Sequence, residues 1–247
     1  MKLHSLQKEL KIYFSKEKAE FFPRFFKTGK GEYAEGDKFI GVTVPNCRLI
    51  AKKYKDINLT EIGILLKSKI HEERLVALLI LVEQFRKGDD KLKEKIFNFY
   101  LTNSKNINNW DLVDLSAPKI VGEYLITNQD CATTFKDQVF KGTYILNLLA
   151  NSESLWQRRI AIISTYAFIR IGELNLTLTI AVQLLSDKHD LIHKAVGWML
   201  REVGKKDQNL LEKFLKDNYS NIPRTTLRYS IEKYPEMKRK IFLNGKF

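Results

Sequence analysis

In SLWQRRIAIISTYAFIR, residues 154–170, a doubly basic start runs into a strongly apolar stretch with no glycine or proline to interrupt it. Apolar positions here recur at spacings of three and four. Such spacings line one face of an α-helix, whereas a half-buried strand alternates with a period of two. The same spacing continues to both sides, and only 12 glycines and 5 prolines punctuate the 247 residues. An all-α fold follows. Helices are predicted over about 3–15, 17–26, 45–54, 60–68, 72–87, 91–103 and 109–125. Further helices are predicted over about 130–140, 142–151, 154–171, 174–185, 188–203, 207–218, 224–234 and 236–243.

Short polar breaks separate them, such as RKGDD (86–90), TNSKNINN (102–109) and GKKDQN (204–209). Helix pairs return about every 35 to 45 residues, with a faint sequence repeat. This spacing fits HEAT- or armadillo-type hairpins stacked into a right-handed superhelix with a concave face, one domain over residues 1–247. A compact irregular bundle is the other arrangement that the helices allow. The least helical stretch is FKTGKGEYAEGDKFIGVTVPN, residues 26–46, which holds four glycines and the cations Lys27, Lys30 and Lys38. It reads as an exposed loop.

Charge narrows the partners. Lys and Arg number 42 against 29 Asp and Glu, a formal net charge of +13. Such a surplus favours a polyanion, either nucleic acid or an acidic membrane surface. The longest apolar run, Leu75–Val82, is far short of the roughly 20 residues that span a bilayer, and the first residues lack the apolar centre of a signal peptide. A cytoplasmic, nucleoid-associated protein is expected. Cys47 and Cys131 stand far apart and outside any CxxC, so neither a disulfide framework nor a zinc site is indicated. His189 and His193 are four apart, yet no third ligand stands at metal-site spacing. No metal or cofactor is expected.

The three tryptophans each have a charged residue one helical turn on: Trp110 with Asp114, Trp156 with Arg159, and Trp198 with Arg201. Offsets of three or four place each pair on one helix face. An indole attracts a cation through its π face and a carboxylate attracts it directly, so Trp110 and Asp114 suit a positively charged species between them. The same pair also reads as an interior tryptophan beside a capping or salt-bridged aspartate. Arg159, the second of the tandem arginines 158 and 159, lies on the side of Trp156 and could hold a phosphate or orient a carboxylate, or could snorkel along a helix surface. Gly197 permits close approach of a neighbour to Trp198, and Arg201, Lys205 and Lys206 follow. Arg224 and Arg228 lie four apart on one face, suited to phosphate or simply to solvent.

Five segments, FIGVTVPNCR, WDLVD, WQRRIAI, KAVGWMLRE and PRTTLRYSIEKY, occur in this order between about residues 39 and 234. Together they resemble the bacterial DNA alkylation repair family, alkylpurine DNA glycosylases built from HEAT-like repeats. The resemblance implies a concave basic face on the duplex backbone and hydrolysis of the N-glycosidic bond of N3- or N7-alkylated purines. The product would be an abasic site, the first step of base excision repair, without a conventional base-flipping pocket. It implies Asp114 as the catalytic carboxylate, Trp110 and Trp198 as the indoles beside it, and Arg159 as the supporting arginine. Residues expected at the DNA are Arg48, Trp156, Arg158, Arg201, Lys205, Arg224 and Arg228. Thr43 and Val44 depart from the family's more polar residues before Pro45. The expected partner is double-stranded DNA containing alkylated bases, bound by a monomer. Two other readings are a non-catalytic solenoid that binds distorted or branched nucleic acid, and a protein-binding HEAT adaptor.

Overall fold

Helices supply nearly all the regular structure of the computed structural model, which describes residues 2–129, 132–135 and 138–247. They fall into two compact units, Met1–Tyr124 and Leu125–Phe247. The N-terminal unit contains α1 (Lys2–Leu10), α2 (Lys16–Phe25), α3 (Val44–Lys53), α4 (Leu59–Leu66), α5 (His71–Lys87), α6 (Asp90–Thr102) and α7 (Trp110–Ala117). A short α8 (Glu123–Thr127) runs across the boundary. The C-terminal unit contains α9 (Tyr144–Ala150), α10 (Leu155–Ser164), α11 (Tyr166–Arg170), α12 (Asn175–Leu184) and α13 (Asp190–Lys206). It closes with α14 (Gln208–Asp217), α15 (Arg224–Ser230) and α16 (Glu236–Leu243).

Capping explains where many helices begin. Asn58 and Glu61 form a reciprocal capping box on α4, and Asp89, Ser154 and Asp207 each accept a backbone N–H in the first turn of the helix that follows. Each unit has a helix at its centre. In the N-terminal unit it is α5, whose residues Leu75–Leu81 are all buried, so it is apolar all round and not along one stripe. It packs on α3, α4, α6 and α7. In the C-terminal unit α13 packs on α10, α11, α12, α14 and α15.

Gly197 sits where α13 meets α15, as close approach requires. A Cβ there would lie 2.5 Å from Tyr229 Cβ and 2.7 Å from the Thr226 carbonyl oxygen. Thr226 Oγ1 adds a hydrogen bond to the His193 carbonyl at 3.1 Å.

Three segments differ from the helical expectation. Within the span predicted as a helix over 130–140, Ala132–Phe135 and Gln138–Lys141 are instead antiparallel strands, in which Phe135 pairs with Gln138. ATTF and QVFK are rich in β-branched and aromatic residues, which favour a pleated strand, and the run is too short to sustain helical amphipathicity. Cys131 lies outside the described residues. The single helix predicted over 109–125 is split by a π-helical turn, Pro118–Gly122. Pro118 has no N–H to donate to the Asp114 carbonyl four residues back, and its ring crowds that carbonyl. The helix predicted over 154–171 breaks at Thr165, whose hydroxyl donates to the Ile162 carbonyl at 2.7 Å and tightens the turn.

Candidate active site and nucleic-acid interface

The first turn of α5 reads His-Glu-Glu-Arg, and all four side chains are buried. Charged side chains are rarely buried without partners, and here each one ties down a different neighbour. Glu72 Oε1 accepts the backbone N–H groups of Ile40 at 3.1 Å, Gly41 at 2.8 Å and Val42 at 3.2 Å. Glu73 accepts from the Gln7 amide of α1 at 3.2 Å. Arg74 donates to Asp37 Oδ2 at 2.7 Å and to the Ser68 carbonyl at 2.9 Å. His71 Nε2 meets Asp111 Oδ2 of α7 at 2.8 Å, and its Nδ1 lies 3.5 Å from Asp37 Oδ2. The glycine-rich loop is thereby pinned at both Asp37 and residues 40–42, which sets the start of α3 and its exposed Arg48.

Trp110 opens α7, where the Asn109 side chain caps its backbone N–H at 2.8 Å. Its ring is half-buried and stacks on Phe26, with centroids 5.5 Å apart and planes 20° apart. Phe25 meets its edge at 6.0 Å. Phe26 stacks in turn on Phe39 at 4.9 Å, and Phe39 on the His71 ring at 4.7 Å.

Asp114, one turn after Trp110, is also half-buried, whereas Asp111 between them is buried. Behind Asp114, Tyr100 donates to Ser116 Oγ at 2.8 Å, and Ser116 passes the bond to the Leu112 carbonyl. Burial pushes the Tyr100 phenol far above its ordinary range, and the Asp114 charge pushes the same way against the Ser116 hydrogen bond. Lys119, in the turn after α7, is held below its ordinary range first by desolvation and then by Arg48. Lys119 and Arg48 therefore lie near one another.

In the C-terminal unit Trp198 is half-buried, and its Nε1–H donates to Glu202 Oε1 at 3.2 Å. Tyr166 lies 6.2 Å away, centroid to centroid. Lys205 Nζ reaches the same Glu202 carboxylate at 2.7 Å. Arg201 pairs with Glu232 and lies 3.7 Å from Glu202. Arg159 is buried, with Nη1 donating to the Leu191 carbonyl at 2.5 Å.

The expected DNA contacts sort by their surroundings. Arg48, Lys205, Arg224 and Arg228 are exposed. Trp156 is set apart from these by burial, at 8% exposure among the core residues of its unit. Arg158 is committed inside the unit, donating to Asp187 Oδ2 at 2.5 Å and to the carbonyls of Ser152 and Glu153 at 3.0 and 2.8 Å. The two spaced histidines hold structure: His189 Nδ1 accepts the Leu191 N–H at the start of α13, and His193 Nε2 meets the Asp187 carbonyl. Cys47 is buried, and burial first, then Glu72 and Asp111, push its thiol far above the usual range. No helix among the described residues is long and apolar enough to cross a membrane.

Sequence patterning alone missed His71, Asp111 and Glu202. The signal for His71 was the dense charge of HEER at the head of a helix that is otherwise apolar.

No curated protein matches this chain. A solved structure described as "Predicted DNA alkylation repair enzyme from Enterococcus faecalis" is similar to it, at 17% identity and a TM-score of 0.68, over 90% of this chain and 97% of that one. Identity that low speaks for the fold alone. Residues 6–234 match the family described as DNA alkylation repair enzyme, nearly the whole chain. The chain belongs to the DNA alkylation repair enzyme family.

Proposed function

We propose that this member is a monofunctional DNA glycosylase that hydrolyses the N-glycosidic bond of positively charged N3- or N7-alkylated purines in duplex DNA. The observation that carries the reading is the pair Trp110 and Asp114: an indole and a carboxylate one turn apart, both half-buried, on a helix whose start is fixed by Asn109 and Asp111.

An alkylated purine of this kind is a cation, so its bond to C1′ is already weakened. As that bond breaks, its electron pair goes to the base and neutralises it, and positive charge develops on the sugar. Asp114 supplies the opposite charge, as carboxylates do in glycoside hydrolysis. Water then adds at C1′, and its proton passes to Asp114 or to solvent. Trp110 contacts the cationic nucleotide through its π face, and Trp198 contributes an indole to the DNA-facing side of its own unit. Arg159 braces the start of α13 through the Leu191 carbonyl, and Arg48, Arg201, Lys205, Arg224 and Arg228 contact phosphates. Backbone contacts of this sort carry no base identity, so sequence preference is weak.

Single-turnover release of base from a duplex carrying one N7-methylguanine tests the reading. Wild type should release the base, and Asp114→Asn should lower the rate roughly 100-fold, the scale of losing one charge-stabilising group. Intact duplex binding with no release by wild type would make the protein a non-catalytic nucleic-acid binder.

A further inference from the structure

We propose that His71 is a positioning residue for the Trp110–Asp114 edge, acting through Asp111 and through the Phe26–Phe39 stack; this rests on the glycosylase reading given above.

Two independent routes join His71 to the site. The first is polar: Nε2 donates to Asp111 Oδ2 at 2.8 Å, and Asp111 sits between Trp110 and Asp114 in the first turn of α7. That bond fixes the rotation of α7 about its axis, and so the direction in which residues 110 and 114 leave it. The second is a pile of rings: His71 lies 4.7 Å from Phe39 and 5.0 Å from Phe26, and Phe26 stacks beneath Trp110. A side chain that is 2% exposed touches no substrate, so its influence passes through these neighbours.

The surroundings favour the imidazolium. Asp111 faces His71 from α7, and Asp37 faces it from the loop before α3. Arg74 and Glu72 come from its own helix, and the buried Cys47 thiol of α3 lies near Glu72 and Asp111. Burial opposes the charge, but the Asp111 carboxylate and the hydrogen bonds to Asp111 and Asp37 outweigh it and raise the pKa to about 9. With both ring nitrogens protonated, Nε2 donates to Asp111 of α7, and Nδ1 faces Asp37 of the loop across 3.5 Å. Losing a proton removes the positive charge that both carboxylates face, and the attraction that draws Asp111 and α7 toward the ring falls with it. The site edge then loosens without any change in the residues that touch DNA.

The experiment follows the Trp110 indole N–H resonance in the intact protein from pH 6.5 to 9.5, in wild type, His71→Gln and Asp111→Asn. Single-turnover release from an N7-methylguanine duplex is measured in parallel, with the uncatalysed rate subtracted. A shift of the Trp110 resonance with a midpoint near 9 is expected in wild type and is absent from both variants. Wild-type release falls through the same midpoint, whereas the variants are slower by about tenfold and lack this limb. A wild-type indole that ignores pH over this range overturns the proposal without any need for a variant to fold. So does His71→Gln with wild-type release. If wild type releases no base, the glycosylase reading fails, and the indole titration still decides whether His71 governs Trp110.

Discussion

Gly197 of α13 faces Tyr229 of α15 so closely that a methyl group there would come within 2.5 Å of the Tyr229 Cβ. Alanine favours a helix interior over glycine by about 1 kcal/mol, so the substitution would stabilise an uncrowded helix. At Gly197 the clash is with a Cβ and a backbone carbonyl, neither of which can swing away. Gly197→Ala should therefore destabilise the protein by about 1–3 kcal/mol. Gly63 on α4 is the control, because a Cβ there would meet only Phe99 at 3.6 Å. Gly63→Ala should stabilise by about 0.5–1 kcal/mol. Urea titration of both variants checks the pair, and equal effects of the same sign would refute the packing described for α13 and α15.

Stability should also report the His71 charge. Its pKa is raised to about 9 in the folded protein from an ordinary value of 6.5. A raised basic pKa means that the folded state holds the proton more tightly than the unfolded chain. The contribution is fully present below about pH 6.5, declines above it, and is gone once pH passes through about 9. The size is roughly 3 kcal/mol. Denaturant unfolding between pH 6 and pH 10 should show that loss in wild type and a flatter profile in His71→Gln. A wild-type curve as flat as that of the variant would contradict a charged His71.

How much of this could be read in advance differs between fold and site. Helix positions follow from local spacing, so the stretch 154–170 is legible except at Thr165, where a side-chain hydroxyl competes for a carbonyl. Pro118 is visibly a bend, but whether the chain kinks or takes a π-helical turn depends on what the turn packs against. The paired strands 132–135 and 138–141 escape such a reading because their apolar residues fit either period over so short a run. At the site, Trp110 and Asp114 stand out because their relationship is one helical turn. His71 and Asp111 are 40 residues apart, and nothing short of the packing of α5 on α7 brings them together. Trp156 shows the opposite limit: an indole beside arginines looks the same in sequence whether it faces a partner or the core.

Glu202 allows binding and chemistry to be separated. Its carboxylate accepts the Trp198 indole N–H and holds Lys205, with Arg201 close by. Replacing it by alanine removes a negative charge among cations and also frees the indole to rotate. Glu202→Ala should bind duplex DNA more tightly at low salt, yet release base about tenfold more slowly than wild type. The two effects have opposite signs, so a variant that merely unfolds cannot imitate them. Tighter binding with an unchanged rate would remove Trp198 orientation from the account.

Two arginines test where the protein meets phosphate. Arg228 is exposed and has no hydrogen bond or ion pair among the described residues, whereas Arg158 is spent on Asp187 and two carbonyls. Binding to a polyanion releases counterions, and each phosphate that the protein ceases to neutralise lowers the slope of log K against log salt by about one. Arg228→Ala should reduce the slope by about that amount and leave stability unchanged within roughly 0.5 kcal/mol. Arg158→Ala should leave the slope intact. It strands a buried Asp187 carboxylate and two carbonyl acceptors, and should destabilise the protein by about 2–4 kcal/mol. Fluorescence anisotropy with an alkylated duplex from 50 to 200 mM salt, alongside denaturant melts, distinguishes the two. If Arg158→Ala proved stable and showed a reduced slope, its guanidinium would have to leave Asp187 for phosphate when DNA binds, and its internal bonds would belong only to the free protein.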